Sequence, residues 1–166
     1  TVEAAGHFNC TYNTTGRKEG NWSIQLNSSN ATRFNSNSTL VIDRFFLENI
    51  APKNGSVPSI NPTSGGWSRP YNFSVNLSDQ EQDNLTCILW LNRTGLFAAA
   101  GTGTVTSTAS NVSCSVIYHQ FNNSDIGTTK QFRFEIRDVE PNNTFNTSVM
   151  SGPTIQASSV SVTLTA

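Results

Sequence analysis

Strict alternation of apolar and polar residues is the feature that most limits how this chain can fold. In residues 71–78 (YNFSVNLS), every odd position is aromatic or aliphatic and every even position is Asn or Ser. Successive side chains of a β-strand point to opposite faces, so the run predicts a strand with one buried and one solvent-facing side. The same pattern recurs at 85–91, 112–118 and 132–136, and no stretch of useful length has helical periodicity. The chain is therefore predicted to be all-β.

Clusters of Gly, Pro, Asn, Asp and Ser separate the alternating runs. Many short strands punctuated by such turns are typical of an antiparallel β-sandwich, which we predict here. The clusters lie at 14–21, 52–56, 61–66, 78–84, 122–127 and 141–143.

Two segments depart from this pattern. Residues 39–50 (TLVIDRFFLENI) are almost continuously apolar, which predicts a strand buried on both faces, with a short helix as the alternative. Residues 95–110 (GLFAAAGTGTVTSTAS) are small and of low complexity, which predicts a long, mobile connection containing at most one irregular strand.

The triplet Asn-x-Ser/Thr, the acceptor for N-linked glycans, is strongly over-represented. Fifteen of the twenty asparagines begin such a triplet, whereas the Ser and Thr content alone gives about five by chance. The excess predicts a secreted protein carrying covalent N-glycans. The acceptor residues are Asn9, Asn13, Asn21, Asn27, Asn30, Asn37, Asn54, Asn72, Asn76, Asn84, Asn92, Asn111, Asn122, Asn142 and Asn146.

Several of these acceptors lie inside predicted strands rather than in loops. Asn72 and Asn76 occupy the polar phase of residues 71–78, and Asn84 and Asn92 flank the apolar run 85–91 in the polar phase. Because the two phases point to opposite faces, we expect the acceptors on the solvent side of the sheet.

Composition excludes several function classes. Charged residues make up 13% of the chain and the net charge is −1, which predicts no nucleic-acid partner. No window approaches the roughly 18 apolar residues that a membrane span requires. His7 and His119 lie in strand-like runs without a catalytic motif beside them, so we predict no enzyme activity, no catalytic residue and no cofactor.

The small number of carboxylates predicts only a modest loss of stability between neutral and acidic pH.

The three cysteines lack CxxC spacing, and with two histidines they do not favour a zinc site. Cys87 and Cys114 both fall on apolar faces, which favours a buried disulfide between them over two free thiols. Cys10 is left over and could bridge to either one instead.

The turn at 79–83 (DQEQD) contains three acidic residues, Asp79, Glu81 and Asp83. Their hard oxygen ligands could hold a calcium ion, but such a turn is more commonly just solvated, and we assign no metal site.

Residues 51–95 contain, in order, a Gly-Ser-Val strand at 55–57, a Pro-Thr-Ser-Gly turn at 62–65, an aromatic-x-Phe-x-Val strand at 71–75 and an acidic turn at 79–84. Further along the chain, QFRFEIRD at 131–138 looks like the penultimate strand. With these motifs the segment 51–95 resembles immunoglobulin-like domains of archaeal cell-surface glycoproteins. The resemblance covers 51–166 and implies an immunoglobulin-like sandwich. The acidic turn lacks the glycine that is common in the pattern.

The first fifty residues match no such domain. Their composition, the density of acceptor triplets and the lack of an anchor resemble subunits of archaeal extracellular filaments such as threads. That resemblance implies donor-strand complementation, in which a terminal extension of one subunit completes the sheet of the next. We therefore predict an N-terminal β extension at 1–50 and a sandwich at 51–166.

An extension of fifty residues has too little chain for a core of its own, so it must pack on the sandwich of its own chain or of a neighbour. Open sheet edges pair with other chains. We predict an extracellular, cell-surface filament subunit that forms a homopolymer by strand exchange. The donor strand is predicted at 1–13, with Phe8, Cys10 and Tyr12 as plugs, and the run 159–166 is the second choice. The alternatives are a recognition or adhesion ectodomain and a component of a surface layer.

Overall fold

The computed structural model describes residues 11–14, 16–30, 34–106, 110–138 and 143–157, without the side chains of 24–30 and 34–44. The chain forms two compact units, Thr1–Glu48 and Asn49–Ala166. They are called unit 1 and unit 2 below, and each is described by itself. The division lies between Glu48 and Asn49.

The described part of unit 1 is dominated by a long antiparallel hairpin. Strand β1 (Gly20–Asn30) pairs with β2 (Phe34–Leu47), from Gly20 opposite Leu47 to Asn30 opposite Phe34. The strand expected over 39–50 is therefore present up to Leu47, but its burial on both faces is wrong at this end, because Phe46 is 59% exposed. A hairpin of two strands covers its side chains incompletely, so an apolar residue can remain in water.

Unit 2 is built from short strands and one single-turn 3-10 helix. In chain order the strands are β3 (Lys53–Asn54), β4 (Ser59–Asn61), β5 (Ser64–Gly66), β6 (Tyr71–Ser78), β7 (Asn84–Asn92), β8 (Phe97–Thr106), β9 (Val112–Tyr118), β10 (Gln131–Arg137), β11 (Thr144–Asn146), β12 (Met150–Ser151) and β13 (Thr154–Gln156). The 3-10 helix is Asn123–Asp125.

These strands form two facing sheets. In sheet I, β3 and β4 pair with one side of β6 and β9 pairs with the other, all antiparallel. In sheet II, the order is β11–β10–β7–β8, with β12 also on β10. After the cis peptide bond Asn61–Pro62, β5 leaves sheet I and pairs in parallel with β13. This is the A-B-E and G-F-C-C′ arrangement of an immunoglobulin-like sandwich, so the fold predicted from the sequence is confirmed.

The alternating residues of the four central strands form the core. Tyr71, Phe73, Val75 and Leu77 of β6 are buried while the residues between them face outward, as the alternation predicted. Phe73 packs edge-on against Phe132 with ring centroids 4.9 Å apart, which joins the two sheets.

A disulfide bond is the covalent link between the sheets. Cys87 of β7 and Cys114 of β9 are both fully buried and are bonded, as the sequence predicted. The bond closes a loop across the sandwich with a sequence separation of 27 residues.

Most of the low-complexity segment 95–110 is strand β8, so the prediction of a mobile connection is wrong for Phe97–Thr106. The one irregular strand expected in the segment is confirmed, because β8 pairs with β7 with a register shift between Leu89 and Trp90. A Cβ on Gly103 would lie 2.6 Å from the backbone oxygen of Ser115 and 3.1 Å from the sulfurs of both bridged cysteines. The small residues are present because β8 runs so close to β9 that a side chain at Gly103 would not fit.

The Gly-Ser-Val piece of the resemblance is also placed differently from the expectation. Residues 55–57 lie between β3 and β4 rather than in a strand, and Val57 is 69% exposed. The backbone turns here because the Asn54 side-chain oxygen accepts a hydrogen bond from the Ser56 backbone at 3.2 Å.

Candidate functional site

The glycan acceptors are the largest set of candidate functional residues, and ten of them have described side chains. None of these ten is buried, so these acceptors lie at the surface of the fold. Eight are exposed: Asn13, Asn21, Asn54, Asn72, Asn84, Asn111, Asn122 and Asn146. Two are partly exposed: Asn76 and Asn92.

Five predicted acceptors cannot be placed in this way. Asn9 and Asn142 lie outside the described residues. Three more belong to β1 and β2 by their backbone, but their side chains are not described: Asn27, Asn30 and Asn37.

The outer face of sheet I explains why acceptors occur inside a strand. Asn72 and Asn76 project from the outward side of β6, as their phase predicted. Along β6 and β9 the other outward side chains are serines, apart from Ile117, which is 59% exposed. None of these outward side chains is ionisable. The face is therefore hydrated through hydroxyl and amide groups, and attached sugars would not disturb the core behind it.

Two other acceptors have their side-chain amides held by turns. The Asn92 carbonyl oxygen accepts a hydrogen bond from the Gly95 backbone at 2.8 Å, and Asn122 caps the 3-10 helix by accepting from Ser124 at 2.9 Å. In both residues the amide carbonyl faces the protein backbone, which fixes the plane of the side chain. The direction of the Nδ2 atom, where a glycan is attached, is fixed with it.

The outer face of sheet II has a different chemistry. Arg133 places its guanidinium over the rings of Trp90, at 5.8 Å, and Phe97, at 5.1 Å. The Trp90 indole N–H donates to Glu135 at 2.9 Å. We call these four residues the aromatic–arginine patch. Such a cluster offers both cation–π contacts and hydrogen bonds to a partner.

The acidic turn is buried rather than solvated. Asp79, Glu81 and Asp83 are all buried, and Asp138, which follows β10, joins them at the same end of the sandwich. Asp79 accepts a hydrogen bond from the Asp83 backbone at 2.8 Å, and Asp138 accepts one from the side-chain amide of Asn49 at 3.0 Å. These four carboxylic residues are called the acidic end below. The expectation of a solvated turn is therefore wrong, because the turn folds back over the end of the core.

Burial has a direct electrostatic consequence at the acidic end. It raises the pKa of Asp79, and the nearby charge of Asp138 raises it further. Burial also raises the pKa of Glu81, with a further contribution from Asp79. Oδ1 of Asp79 and Oε2 of Glu81 are buried without a hydrogen-bond partner. Burial thus disfavours the charged forms of these carboxyl groups relative to exposed carboxyl groups.

The geometry gives no support to a metal centre at the acidic end. Among the described residues, no three His, Cys, Asp or Glu side chains are arranged so that they could hold a metal ion.

In the part of the chain that the structure describes, no helix is long and apolar enough to cross a membrane.

At the opposite end, a buried carboxylate lies between two cations. Asp125 accepts hydrogen bonds from Arg93 Nε at 3.0 Å and from the Asn122 backbone at 2.8 Å, and it pairs with Lys130 Nζ at 3.2 Å. Arg93 also donates to the Tyr118 hydroxyl at 2.9 Å. Arg93, Tyr118, Asp125 and Lys130 are called the ionic end. Burial works to raise the pKa of Asp125, but the hydrogen bonds from Arg93, Asn122 and Lys130 outweigh it and hold that pKa below its usual value.

Sequence reasoning missed the ionic end. Arg93 is far in the chain from the other three members, and none of the four belongs to a motif of catalysis or binding. One local signal was available: Asn122 and Asp125 form a capping box, in which each side chain accepts from the other residue's backbone. That signal could have identified Asp125 as a structural residue.

The predicted donor strand falls largely outside the described residues. Phe8 and Cys10 lie there, as do His7 and the run 159–166, whereas Tyr12 is described and is 58% exposed. The Arg17 guanidinium lies 5.5 Å from the Tyr12 ring. A side chain that inserts into another subunit must be exposed in the free subunit, as Tyr12 is. The assignment of residues 1–13 as the donor strand stays a prediction.

Comparisons with known proteins give little. No family model matches the chain, and no curated protein matches it either. Among solved structures, the chain is similar to the PKD domain of an M14-like peptidase from Thermoplasmatales archaeon SCGC AB-540-F20. The identity is 18%, the match covers 66% of this chain and 100% of that domain, and the TM-score is 0.39. The assignment of the fold rests on the strand pairing described above.

Proposed function

We propose that this chain is a structural subunit of an extracellular, N-glycosylated filament of the archaeal thread type, assembled by exchange of a strand between copies. The single observation that carries the proposal is the small number of strands in the described part of unit 1. Its described residues contain one hairpin of two strands, β1 and β2. A two-stranded hairpin is at best marginally stable in water and needs a third strand or a packing surface. A neighbouring subunit supplies such a surface.

The chemistry of unit 2 supports an extracellular setting for the filament. A buried disulfide persists in oxidising surroundings, and Cys87 and Cys114 form one. The ten acceptor asparagines whose side chains are described are all accessible. Glycans on these positions would cover the outer face of sheet I and hinder unwanted stacking of sheets.

In the proposed assembly, main-chain hydrogen bonds supply most of the affinity, and alternate apolar side chains fix the register. Residues 1–13 are the proposed donor, and Phe8, Cys10 and Tyr12 are the plugs that enter the groove of the next copy. The chain is not proposed to be an enzyme.

Deletion of residues 1–13 tests the donor directly. We expect the truncated glycoprotein to remain monomeric or to aggregate irregularly, whereas the full chain forms fibres in electron micrographs. Phe8→Ser combined with Tyr12→Ser should have the same effect. Thr11→Ser is the matched control, because it lies in the opposite phase and keeps the acceptor triplet of Asn9.

Fibres formed by the chain without residues 1–13 would overturn the donor assignment. Loss of fibres on deletion of 159–166 instead would assign the exchange to the other terminus. Monomers from the full chain at every concentration would overturn the filament itself.

The second candidate is a recognition or adhesion ectodomain, and the aromatic–arginine patch favours it. Aromatic and arginine side chains are enriched where interfaces bind tightly. In this case Trp90→Ala should abolish binding to cells while the protein stays monomeric and folded.

Two-dimensional arrays in the electron micrographs would instead indicate a surface-layer component.

A further inference from the structure

One exposed aliphatic side chain stands out on the outer face of sheet I. Ile117 is 59% exposed, although its neighbours along the outward side of β9 are Ser113 and Ser115. In the register of β6 and β9, Ile117 is directly opposite Asn72, a glycan acceptor. An apolar side chain in this position loses free energy to water unless something covers it.

The same two strands contain a matched comparison. Asn76 is also a glycan acceptor, and its direct cross-strand partner is Ser113. Asn72 and Asn76 are four positions apart on β6, so they point to the same face of the sheet. Their cross-strand pairs are also of the same kind, since hydrogen-bonded and non-hydrogen-bonded pairs alternate along an antiparallel ladder. Directly opposed side chains have Cβ atoms about 4.5 to 5.5 Å apart. On β9 the two acceptors differ in whether an apolar or a polar side chain is opposite them. On the other side of β6, Asn72 is also opposite Asn61.

We propose that the first sugar linked to Nδ2 of Asn72 packs over Ile117, so that this pair is a seat for a covalently attached glycan. The inference rests on the proposed N-glycosylation and deepens it by naming the contact that the glycan makes. The first sugar ring is bonded directly to Nδ2, so it begins next to the side chain that lies opposite Asn72. The C–H face of a sugar ring offers apolar area to it, and each covered area contributes to stability.

Covalent attachment is the reason why the glycan, rather than a second protein, is the proposed occupant. A tethered group meets its contact surface at a high effective concentration, which a free partner does not. The surrounding side chains are also polar: Ser59 and Ser74 share a hydrogen bond of 2.9 Å on this face. A single isoleucine among serines suits one sugar ring better than a broad protein interface, whose centre is more apolar.

A second acceptor is opposite an exposed apolar side chain: Asn21 is directly opposite Phe46, which is 59% exposed. Asn92 is directly opposite Phe97, but that ring is already covered by the guanidinium of Arg133. The arrangement at Asn72 is therefore repeated at Asn21 but not at Asn92.

A double-mutant cycle on purified glycoprotein tests the proposal. Asn72→Gln removes the acceptor, and Ile117→Thr replaces the apolar side chain by a polar one that is also β-branched. We expect Asn72→Gln to lower the melting temperature by about 2 °C or more in the native background and to have no effect in the Ile117→Thr background. The same cycle on protein from a host that adds no N-glycans should show no coupling.

The control cycle uses Asn76→Gln with Ser113→Thr, which keeps the acceptor triplet of Asn111, and we expect additive effects. In an Asn111→Gln background, where that triplet is already absent, Ser113→Ile should create coupling at Asn76 where there was none. Nuclear Overhauser contacts between the Ile117 methyl groups and the sugar protons give a direct readout that does not depend on stability.

Mass spectrometry of the Asn72 glycopeptide separates the outcomes. If Asn72 carries a glycan and the cycle is additive without methyl–sugar contacts, the seat is overturned while glycosylation stands. If Asn72 carries no glycan, both the seat and the proposed modification at this position are overturned. If Ile117→Thr abolishes polymerisation and the cycle is additive, the occupant is a second copy of the chain and the proposal is wrong.

Discussion

The two ends of the sandwich place the same residue type in opposite electrostatic states. Asp79 at the acidic end and Asp125 at the ionic end are each only 2% exposed. The pKa of Asp79 is raised, whereas the pKa of Asp125 is lowered. Burial acts in the same direction on both, so the neighbours decide the outcome: Asp79 faces other carboxylates, and Asp125 faces Arg93 and Lys130.

The difference teaches that a chain with little net charge need not be electrostatically uniform. The acidic end concentrates four carboxylic residues, and the ionic end places two cations around one carboxylate. Each local imbalance lies where strands of the two sheets end. Low pH should therefore stabilise the acidic end and destabilise the ionic end.

The largest expected effect is the loss of the carboxylate at the ionic end. Asp125→Ala leaves the side chain of Lys130, which is 1% exposed, as a buried charge without its counterion. We expect a loss of about 3 to 5 kcal/mol in the free energy of unfolding, measured by denaturant titration. Arg137→Ala is the control, since it breaks the exposed pair with Glu135 and should cost at most about 1 kcal/mol. Equal losses in the two variants would contradict the importance of burial.

Removing the disulfide provides a reference that is independent of either end. Cys87→Ala with Cys114→Ala should lower the free energy of unfolding by about 3.5 kcal/mol, because the bond restricts the unfolded chain across a separation of 27 residues. The loss should be the same at pH 7 and pH 4, since neither cysteine titrates when bonded. A loss that changes with pH would show that the bond also organises one of the charged ends.

At the acidic end the expected effect is a gain in stability. Asp79→Asn removes a charge that is buried beside Asp138 and keeps one oxygen to accept from the Asp83 backbone. We expect the variant to be about 1 kcal/mol more stable than the native protein at pH 7. The exposed Glu48 supplies the control, and Glu48→Gln should change little. A destabilised Asp79→Asn variant would mean that the carboxylate is needed for a ligand or a partner.

The smallest effect is the pH profile of the native protein. Because the folded-state pKa of Asp79 and of Glu81 is raised, their contribution to stability is complete below the ordinary carboxyl pKa and is lost as pH rises through the raised values. Because that of Asp125 is lowered, its contribution is present above the ordinary pKa and is lost as pH falls through the lowered value. We therefore expect a small gain in melting temperature from pH 7 toward pH 4, and a loss only at lower pH.

This expected gain is opposite in sign to the expectation from composition, which was a modest loss between neutral and acidic pH. Asp79→Asn with Glu81→Gln should flatten the upper part of the profile and leave the lower part unchanged. A steep loss of structure near pH 4 in the native protein would contradict both expectations.

The sequence predicted the parts of the fold that alternation controls. Tyr71 to Ser78 could be oriented from the order of residues alone, because a strand allows only two directions for its side chains. The apolar phases of Cys87 and Cys114 favoured their pairing, although Cys10 remained an alternative partner until the structure showed the bond. The exposure of Asn72 follows from the same argument.

The remainder depends on contacts that no local pattern contains. Asp79 and Asp138 meet at one end although they are far apart in the chain, and so do Arg93 and Asp125 at the other. The run of small residues in β8 has the composition of a linker, and only its packing against Ser115 shows why glycine is required there. The aromatic–arginine patch likewise joins β7, β8 and β10.

The close approach of β8 to β9 has a consequence for the tolerance of this region to mutation. A comprehensive substitution scan should give an alternating result along Gly101–Thr104: two threonines that accept many replacements, and two glycines that accept almost none. A filter that discards repetitive segments, or an engineer seeking a dispensable insertion point, would select this very stretch. Its plain composition reflects tight steric selection, and inserted residues here would force the two sheets apart at their covalent link.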